Sequence, residues 1–243
     1  MTDFSRIDDW FWKDFVTTSS TNDELKKLLP LPKNMEKVII TAKEQTAGRG
    51  RLDHKWISMN GNLFMSLGIN WNLQDIAILS LISSLALYQT IKSYTPKGEI
   101  LLKWPNDVFI DYKKVSGILI ESVAPSFAVV GIGINIAQTP KLEQQLLYLP
   151  TSLKEQGITT DRLDFMKNYL LFFDKTISAF HQYGNSAIIS EWQQKALALG
   201  NNIKVKTAKE EIFGKFLGLD NKGMLLLQTE NDIRTISTGD ISF

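Results

Sequence analysis

Between Thr46 and Arg51 the chain reads Thr-Ala-Gly-Arg-Gly-Arg, two guanidinium groups set among residues with almost no side-chain bulk. Such a segment lets the backbone approach a ligand closely while two planar, multiply donating cations grip an anion. A short basic stretch on its own is ordinarily a solvated loop. Here Trp56 follows a few residues on, and an aromatic plane beside an anion site is what an adenine would stack on.

A second candidate is the run from Val129 to Ile136, which contains Gly131, Gly133 and Asn135. Strand alternation puts these three on one face and the intervening isoleucines on the other. Two glycines on one face weaken a strand, so either a flat ligand or a closely packed neighbouring element lies against that backbone. Lys114, in the sequence Lys114-Val115-Ser116-Gly117, follows a turn at Asp111 and Tyr112 and opens an apolar strand. Pointing inward, its charge could neutralise a carboxylate and a phosphate together; pointing outward, it is solvated. Lys113 is the natural control, because adjacent residues of an extended chain face opposite ways. Lys103-Trp104-Pro105-Asn106-Asp107 is a turn between two strands. It groups a lysine, an amide and a carboxylate that suit nucleotide or magnesium-phosphate positioning, with Asp107 near the metal.

Composition removes other chemistries. The chain has no cysteine, which excludes disulfides, thiolate metal sites and cysteine nucleophiles. Two histidines, His54 and His181, supply a metal cluster or a serine triad poorly. With a net charge of +1 over 243 residues, any polyanion site must be local, and no nucleic-acid partner is expected. The first residues lack the basic start and apolar run of a signal peptide, and no apolar stretch of membrane-spanning length is read. The expected compartment is the cytoplasm, with no membrane partner.

Several elements must position these groups. Thr21 with Glu24 three residues on predicts a capping box opening a short helix that Pro30 and Pro32 end. Residues 37–42 and 63–69 read as strands, separated by a polar loop over residues 43–59. Asn72 and Asp75 open a long apolar helix through about Tyr94. Residues 100–104, 107–111, 114–123 and 128–136 read as four further strands. Helical periodicity returns from Asp161 to about Ala198, and the tail from Ile203 alternates short strands with turns at residues 220–223 and 230–232.

The order of Ser20-Thr21-Asn22, Gln45 with Gly48-Arg49-Gly50-Arg51 and Trp56, then Lys103 to Asp107, Lys114 to Gly117 and Gly131 to Asn135 resembles biotin protein ligases. The resemblance implies an α+β fold: a mixed, mostly antiparallel sheet flanked by helices, like a class II synthetase. A small SH3-like C-terminal β-barrel completes it, giving a biotin- and ATP-binding domain over 1–199 and a barrel over 200–243. It implies that Ser20, Thr21, Asn22 and Gln45 hydrogen-bond biotin's fused-ring head. Arg49, Gly50 and Arg51 would close over its carboxylate and the α-phosphate, and Lys114 would be the central cation. Gly117, Gly131 and Gly133 would floor the pocket; Trp56 and Asn135 would meet adenine, with Lys103, Asn106 and Asp107 near the nucleotide. No protein metal site is expected, since magnesium arrives with ATP. The implied activity is ATP-dependent formation of biotinyl-AMP and transfer of biotin to a lysine of a biotin carboxyl carrier domain, by a monomer or homodimer. After Arg51 the family's loop usually continues with a basic or polar residue and then glycine, whereas this chain has Leu52-Asp53-His54.

Some biotin ligases also repress transcription through an N-terminal helix-turn-helix domain. Fewer than two dozen residues precede Ser20 here, so no such reader is expected. Lipoate ligases share the architecture but differ in the glycine-rich loop, and octanoyl transfer through a thioester would need a cysteine. From another class comes a non-catalytic RNA-binding module using Arg49, Arg51, Lys55 and Trp56 as a stacking and phosphate patch.

Overall fold

The computed structural model describes residues 4–31, 35–51, 54–123, 126–140 and 148–242. Eight strands make the main sheet: β1 (Ser5–Ile7), β2 (Trp10–Thr18), β3 (Lys37–Gln45), β4 (Leu63–Asn70), β5 (Ile100–Lys103), β6 (Asp107–Ile110), β7 (Lys113–Val123) and β8 (Phe127–Ile134). They lie in the order β1-β2-β3-β4-β8-β7-β6-β5. β2 and β3 run parallel and every other neighbouring pair is antiparallel, the mixed sheet expected. The parallel pair needs a crossover, which the short helix α1 (Thr21–Lys27) supplies. β1 and β2 were not expected from the sequence. Trp10 is fully buried and donates its indole N–H to Asp174 at 3.1 Å, but much of the rest of β2 is polar and partly exposed.

Strand alternation divides the sheet into two working faces. Ile39, Met65, Leu67, Val130 and Ile132 join the main core with α2 (Ile76–Ser93) and α3 (Arg162–Gln193). Val38, Ile40 and Val129 face the other way and bury Leu25 of α1. Gly131 and Gly133, two and four residues beyond Val129, therefore open on the α1 side.

α2 corrects one sequence reading. With the short 3-10 turn before it, Leu73–Ser93 is 21 residues containing an 18-residue stretch of mean hydropathy 1.3, long and apolar enough to cross a membrane. Its composition reflects burial between the sheet and α3, where Leu79, Ile82, Leu85, Ala86 and Ile91 are at most 1% exposed. α3 is kinked at Gly184, whose φ of 73° leaves the helical region.

The capping box at Thr21 is also corrected. Ser20 occupies the N-cap without a side-chain cap bond, Thr21 turns its hydroxyl to Gln45, and Glu24 accepts from Thr18 at 2.8 Å. α1 ends at Lys27 before Pro30; Pro32 lies outside the described residues, as do Leu52 and Asp53 of the basic loop.

The tail forms β9 (Asn202–Lys206), β10 (Glu211–Leu219), β11 (Leu225–Gln228), β12 (Ile233–Ile236) and β13 (Asp240–Ser242). These make one antiparallel sheet in the order β12-β11-β10-β9-β13. Its interior side chains, among them Val205, Phe216, Leu227 and Ile241, are continuous with the main core. Trp104 fills the seam and donates its indole N–H to the Gly223 carbonyl at 3.1 Å.

Candidate active site

Every residue given a binding or catalytic role from the sequence lines one cavity of about 290 Å³ on the α1 side of the sheet. Ser20, Thr21 and Asn22 enter it from the start of α1, and Gln45 from the end of β3. That strand is three residues longer than the sequence indicates because its pairing with β2 continues through Thr18↔Gln45. Gln45 Oε1 accepts from the Thr21 backbone N–H at 2.8 Å and from its hydroxyl at 3.1 Å. Ser66 Oγ of β4 sits 2.7 Å from Thr21 Oγ1 and 2.5 Å from Asn22 Oδ1. The result is a buried wall of fixed donors and acceptors at one end of the cavity.

The floor is glycine for a steric reason. A Cβ on Gly131 would overlap the Asn22 carboxamide, and one on Gly133 the Trp56 indole. The closely packed neighbours are thus themselves pocket side chains, and the Trp56 ring lies across the Gly133 and Gly117 backbone. Its indole N–H is buried with no hydrogen-bond partner among the described residues, a donor free to meet an acceptor from a ligand.

Over residues 48–56 the chain folds back on itself through an Arg49↔Lys55 bridge, with Trp56 N donating to Gly48 O at 3.0 Å. A Cβ at Gly48 would come within 2.8 Å of the Trp56 carbonyl, so the hairpin closes only on glycine. Arg49 forms a two-pronged salt bridge with Asp23 at 2.6 and 2.8 Å. Hydrogen bonding to Arg49 holds the Asp23 carboxyl below the usual carboxylate range, against burial. Among the described residues Arg51 instead reaches neutral acceptors: Asn106 Oδ1 and Gly239 O, each at 3.3 Å, and Thr238 Oγ1. Burial pulls its guanidinium below the ordinary arginine value, opposed by Asp107 and Asp240.

Lys114 reaches the pocket through a β-bulge. The β6–β7 register shifts between Val108 and Phe109, so Val115 is buried in the main core while Lys114 and Gly117, three apart, open on the same cavity. Regular alternation would have separated them. Lys113 is exposed. Lys114 Nζ lies 2.7 Å from Asp107 Oδ1, an ion-pair contact without hydrogen-bond geometry, and 5.8 Å from the Trp56 ring centre. Lys103, 3% exposed, is paired with Asp240 and lies 5.1 Å from the Tyr148 ring centre. Asn106 Nδ2 donates to Ile118 O at 2.6 Å. Asn135, buried behind them, donates to Thr151 O at 3.0 Å.

Arg49, Arg51, Lys103 and Lys114 thus converge on one cavity, three of them paired with a carboxylate of the protein, while Arg51 is hydrogen-bonded to neutral oxygens and keeps its charge. Two anionic groups brought together here would meet fixed positive charge that requires no reorganisation of water.

A model of the Biotin/lipoate A/B protein ligase family matches residues 15–136, and one of the Biotin protein ligase C terminal domain matches residues 198–243. The biotin–[acetyl-CoA-carboxylase] ligase of Paracoccus denitrificans is 32% identical over 236 residues, covering 93% of this chain and 98% of that protein. The bifunctional ligase/repressor BirA of Bacillus subtilis is 35% identical over 215 residues, 85% of this chain and 66% of its own length. This chain therefore spans about two thirds of that relative. The biotin protein ligase of Aquifex aeolicus, solved in complex with biotin and ATP, has the same fold with a TM-score of 0.80 at 30% identity. That match covers 95% of this chain and 97% of the other. The chain belongs to the biotin protein ligase family.

In this biotin protein ligase fold the pocket residues have partners that the sequence alone did not mark. Asp23 and Glu121 hold Arg49 and Asn22, and Ser66 supports Thr21. Thr238, Gly239 and Asp240 arrive from the last strands, 137 residues beyond Lys103 in the case of Asp240. For Asp23 a weak signal exists, an acidic residue in the first turn of a helix beside Asn22. For Asp240 there is none, because only the packing of the C-terminal sheet brings it near.

Asp240 couples that sheet to the pocket by charge. Burial pushes its carboxyl up, but Lys103, Lys114 and Arg51 outweigh this and hold it below the usual range. A carboxyl depressed in the folded state adds stability that is present above its unfolded value, near pH 4, and is lost as pH falls. Asp240→Asn should therefore melt earlier than the parent at pH 7. The gap should close below about pH 4, as followed by circular dichroism; a gap independent of pH would show that the charge is not what matters.

Proposed function

We propose that this chain activates biotin with ATP to form biotinyl-5'-AMP and then transfers the biotinyl group to a lysine of a biotin carboxyl carrier domain, such as that of acetyl-CoA carboxylase. The observation that carries the reading is the convergence of Arg49, Arg51, Lys103 and Lys114 on a cavity whose other end is the polar wall of buried Ser20, Thr21 and Asn22 with half-buried Gln45. A molecule with a polar fused-ring head and a carboxylate tail matches that polarity.

In this reading the wall holds the ureido head, and Gly117, Gly131 and Gly133 let the ring system lie close to the backbone. Arg49, Gly50 and Arg51 take the carboxylate and α-phosphate. Lys114 leaves Asp107 to stand between the two reacting anions, while Lys103, Asn106 and Asp107 face the nucleotide and Trp56 and Asn135 its adenine. A carboxylate oxygen attacks the α-phosphorus and pyrophosphate leaves. The repulsion of two anions is a large part of that barrier, and the cations gathered at this end of the cavity lower it. The acceptor amine then attacks the carbonyl carbon of the mixed anhydride, and AMP departs with the bonding pair. No covalent enzyme intermediate is needed.

In this reading magnesium enters with the triphosphate. We place the catalytic part at residues 1–199 and the β-rich part at 200–243, and assign the chain to the cytoplasm as a monomer or homodimer.

The test is biotin-dependent exchange of labelled pyrophosphate into ATP, run beside lipoate and octanoate. Exchange with biotin alone is expected. Exchange only with lipoate or octanoate would keep the cation chemistry and overturn the assignment of the head pocket, and no exchange with any acid would overturn the ligase reading.

A further inference from the structure

One buried side chain of the pocket is held by a carboxylate that the mechanism above does not use. Asn22 is 4% exposed; its Nδ2 donates to Glu121 Oε2 of β7 at 2.5 Å, and its Oδ1 lies 2.5 Å from Ser66 Oγ. The other oxygen of Glu121 takes Lys26 Nζ at 2.5 Å. Asn22 and Lys26 are four apart on α1 and so lie on one side of the helix, where both reach the same strand residue. Lys26 is also 3.6 Å from Asp23, the partner of Arg49.

We infer that Glu121 is a positioning residue for biotin, fixing through Asn22 the sense in which the pocket presents its carboxamide to the cyclic urea of the head group; this rests on the reading in the preceding section. An amide can be turned over with little change of shape, but here the turned form would set its oxygen against the Glu121 carboxylate and its NH2 toward Ser66. The repulsion selects one sense. The bond to Glu121 uses one of the two amide N–H groups, leaving the second, and a lone pair on Oδ1, for a ligand. Gly131 beneath admits the group only flat, since a Cβ there would overlap it. Lys26 offsets the charge of Glu121, so the carboxylate accepts from Asn22 without leaving an unpaired charge beside a polar but uncharged head. The chain Arg49, Asp23, Lys26, Glu121, Asn22 also ties the cationic end of the cavity to its polar end along α1.

The experiment uses the full chain with Glu121→Ala and Glu121→Gln, measuring KM for biotin and for ATP separately in pyrophosphate exchange, with a melting curve for each variant. Glu121→Ala is expected to raise KM for biotin about 10-fold, as loss of a buried partner does. KM for ATP should stay within about twofold and kcat change less than KM. Glu121→Gln keeps an oxygen that accepts from Asn22 and should recover biotin KM to within about threefold of the parent. Equal biotin KM in the parent and Glu121→Ala would overturn the inference. So would a rise in both KM values that follows a fall in melting temperature and is not recovered by Glu121→Gln, because that is a structural role. Absence of biotin-dependent exchange in the unaltered chain would overturn the biotin reading itself and the inference with it.

Discussion

Lys114→Ala should fold like the parent and form the adenylate about 100-fold more slowly or worse, the scale on which a preorganised charge-stabilising donor counts. The side chain is partly exposed and the carboxylate it pairs with, Asp107, is itself on the cavity wall, so its removal disturbs no core packing. Lys113→Ala, one residue away on the solvent side of β7, should leave the rate within about twofold. The comparison is direct because the bulge, and not alternation alone, turns Lys114 into the cavity. Single-turnover formation of biotinyl-AMP measures it, and equal rates in the two variants would show that Lys114 is not the central cation.

The second large effect is on stability. Trp104→Ala should cost about 3 to 5 kcal/mol, the range for deleting a buried tryptophan. That is a large share of the about 5 to 15 kcal/mol that holds a typical protein together. Trp104 is 2% exposed and its indole N–H satisfies the Gly223 carbonyl in the turn between β10 and β11, so the variant leaves both a cavity and an orphaned acceptor. A fall of about 10 °C in melting temperature is expected for a chain of this size. Trp104→Phe, which keeps much of the bulk and loses the donor, should fall by less. A melting temperature unchanged in Trp104→Ala would mean that the seam between the two sheets contributes little. Because the same seam carries Asp240 toward Lys103, Trp104→Ala should also weaken ATP binding more than biotin binding.

Much of this molecule is legible from local pattern. The strands 63–70 and 127–134 and the helix 76–93 are continuous, mostly apolar runs, and the sequence places them to within about two residues. The strands β1 and β2 escaped notice because an outer pair at the sheet edge carries partly exposed polar positions, and its partner β3 lies beyond α1. The capping box failed for a related reason. Ser, Thr and Glu at helix starts favour local caps, but here Gln45 offered Thr21 a better partner from another strand.

By itself the sequence determined the motif residues and their order, the absence of thiol chemistry, the glycine floor and the family those features resemble. These follow from side-chain type and chain period, which are local. Only the tertiary structure decided that the cations share one cavity, that a bulge at Val115 turns Lys114 and Gly117 the same way, and that Asp23, Glu121 and Asp240 hold the cations and Asn22. Each of those depends on register and packing between residues far apart in the chain. No local pattern encodes that proximity, because it exists only once the burial of both sheets has closed the chain on itself.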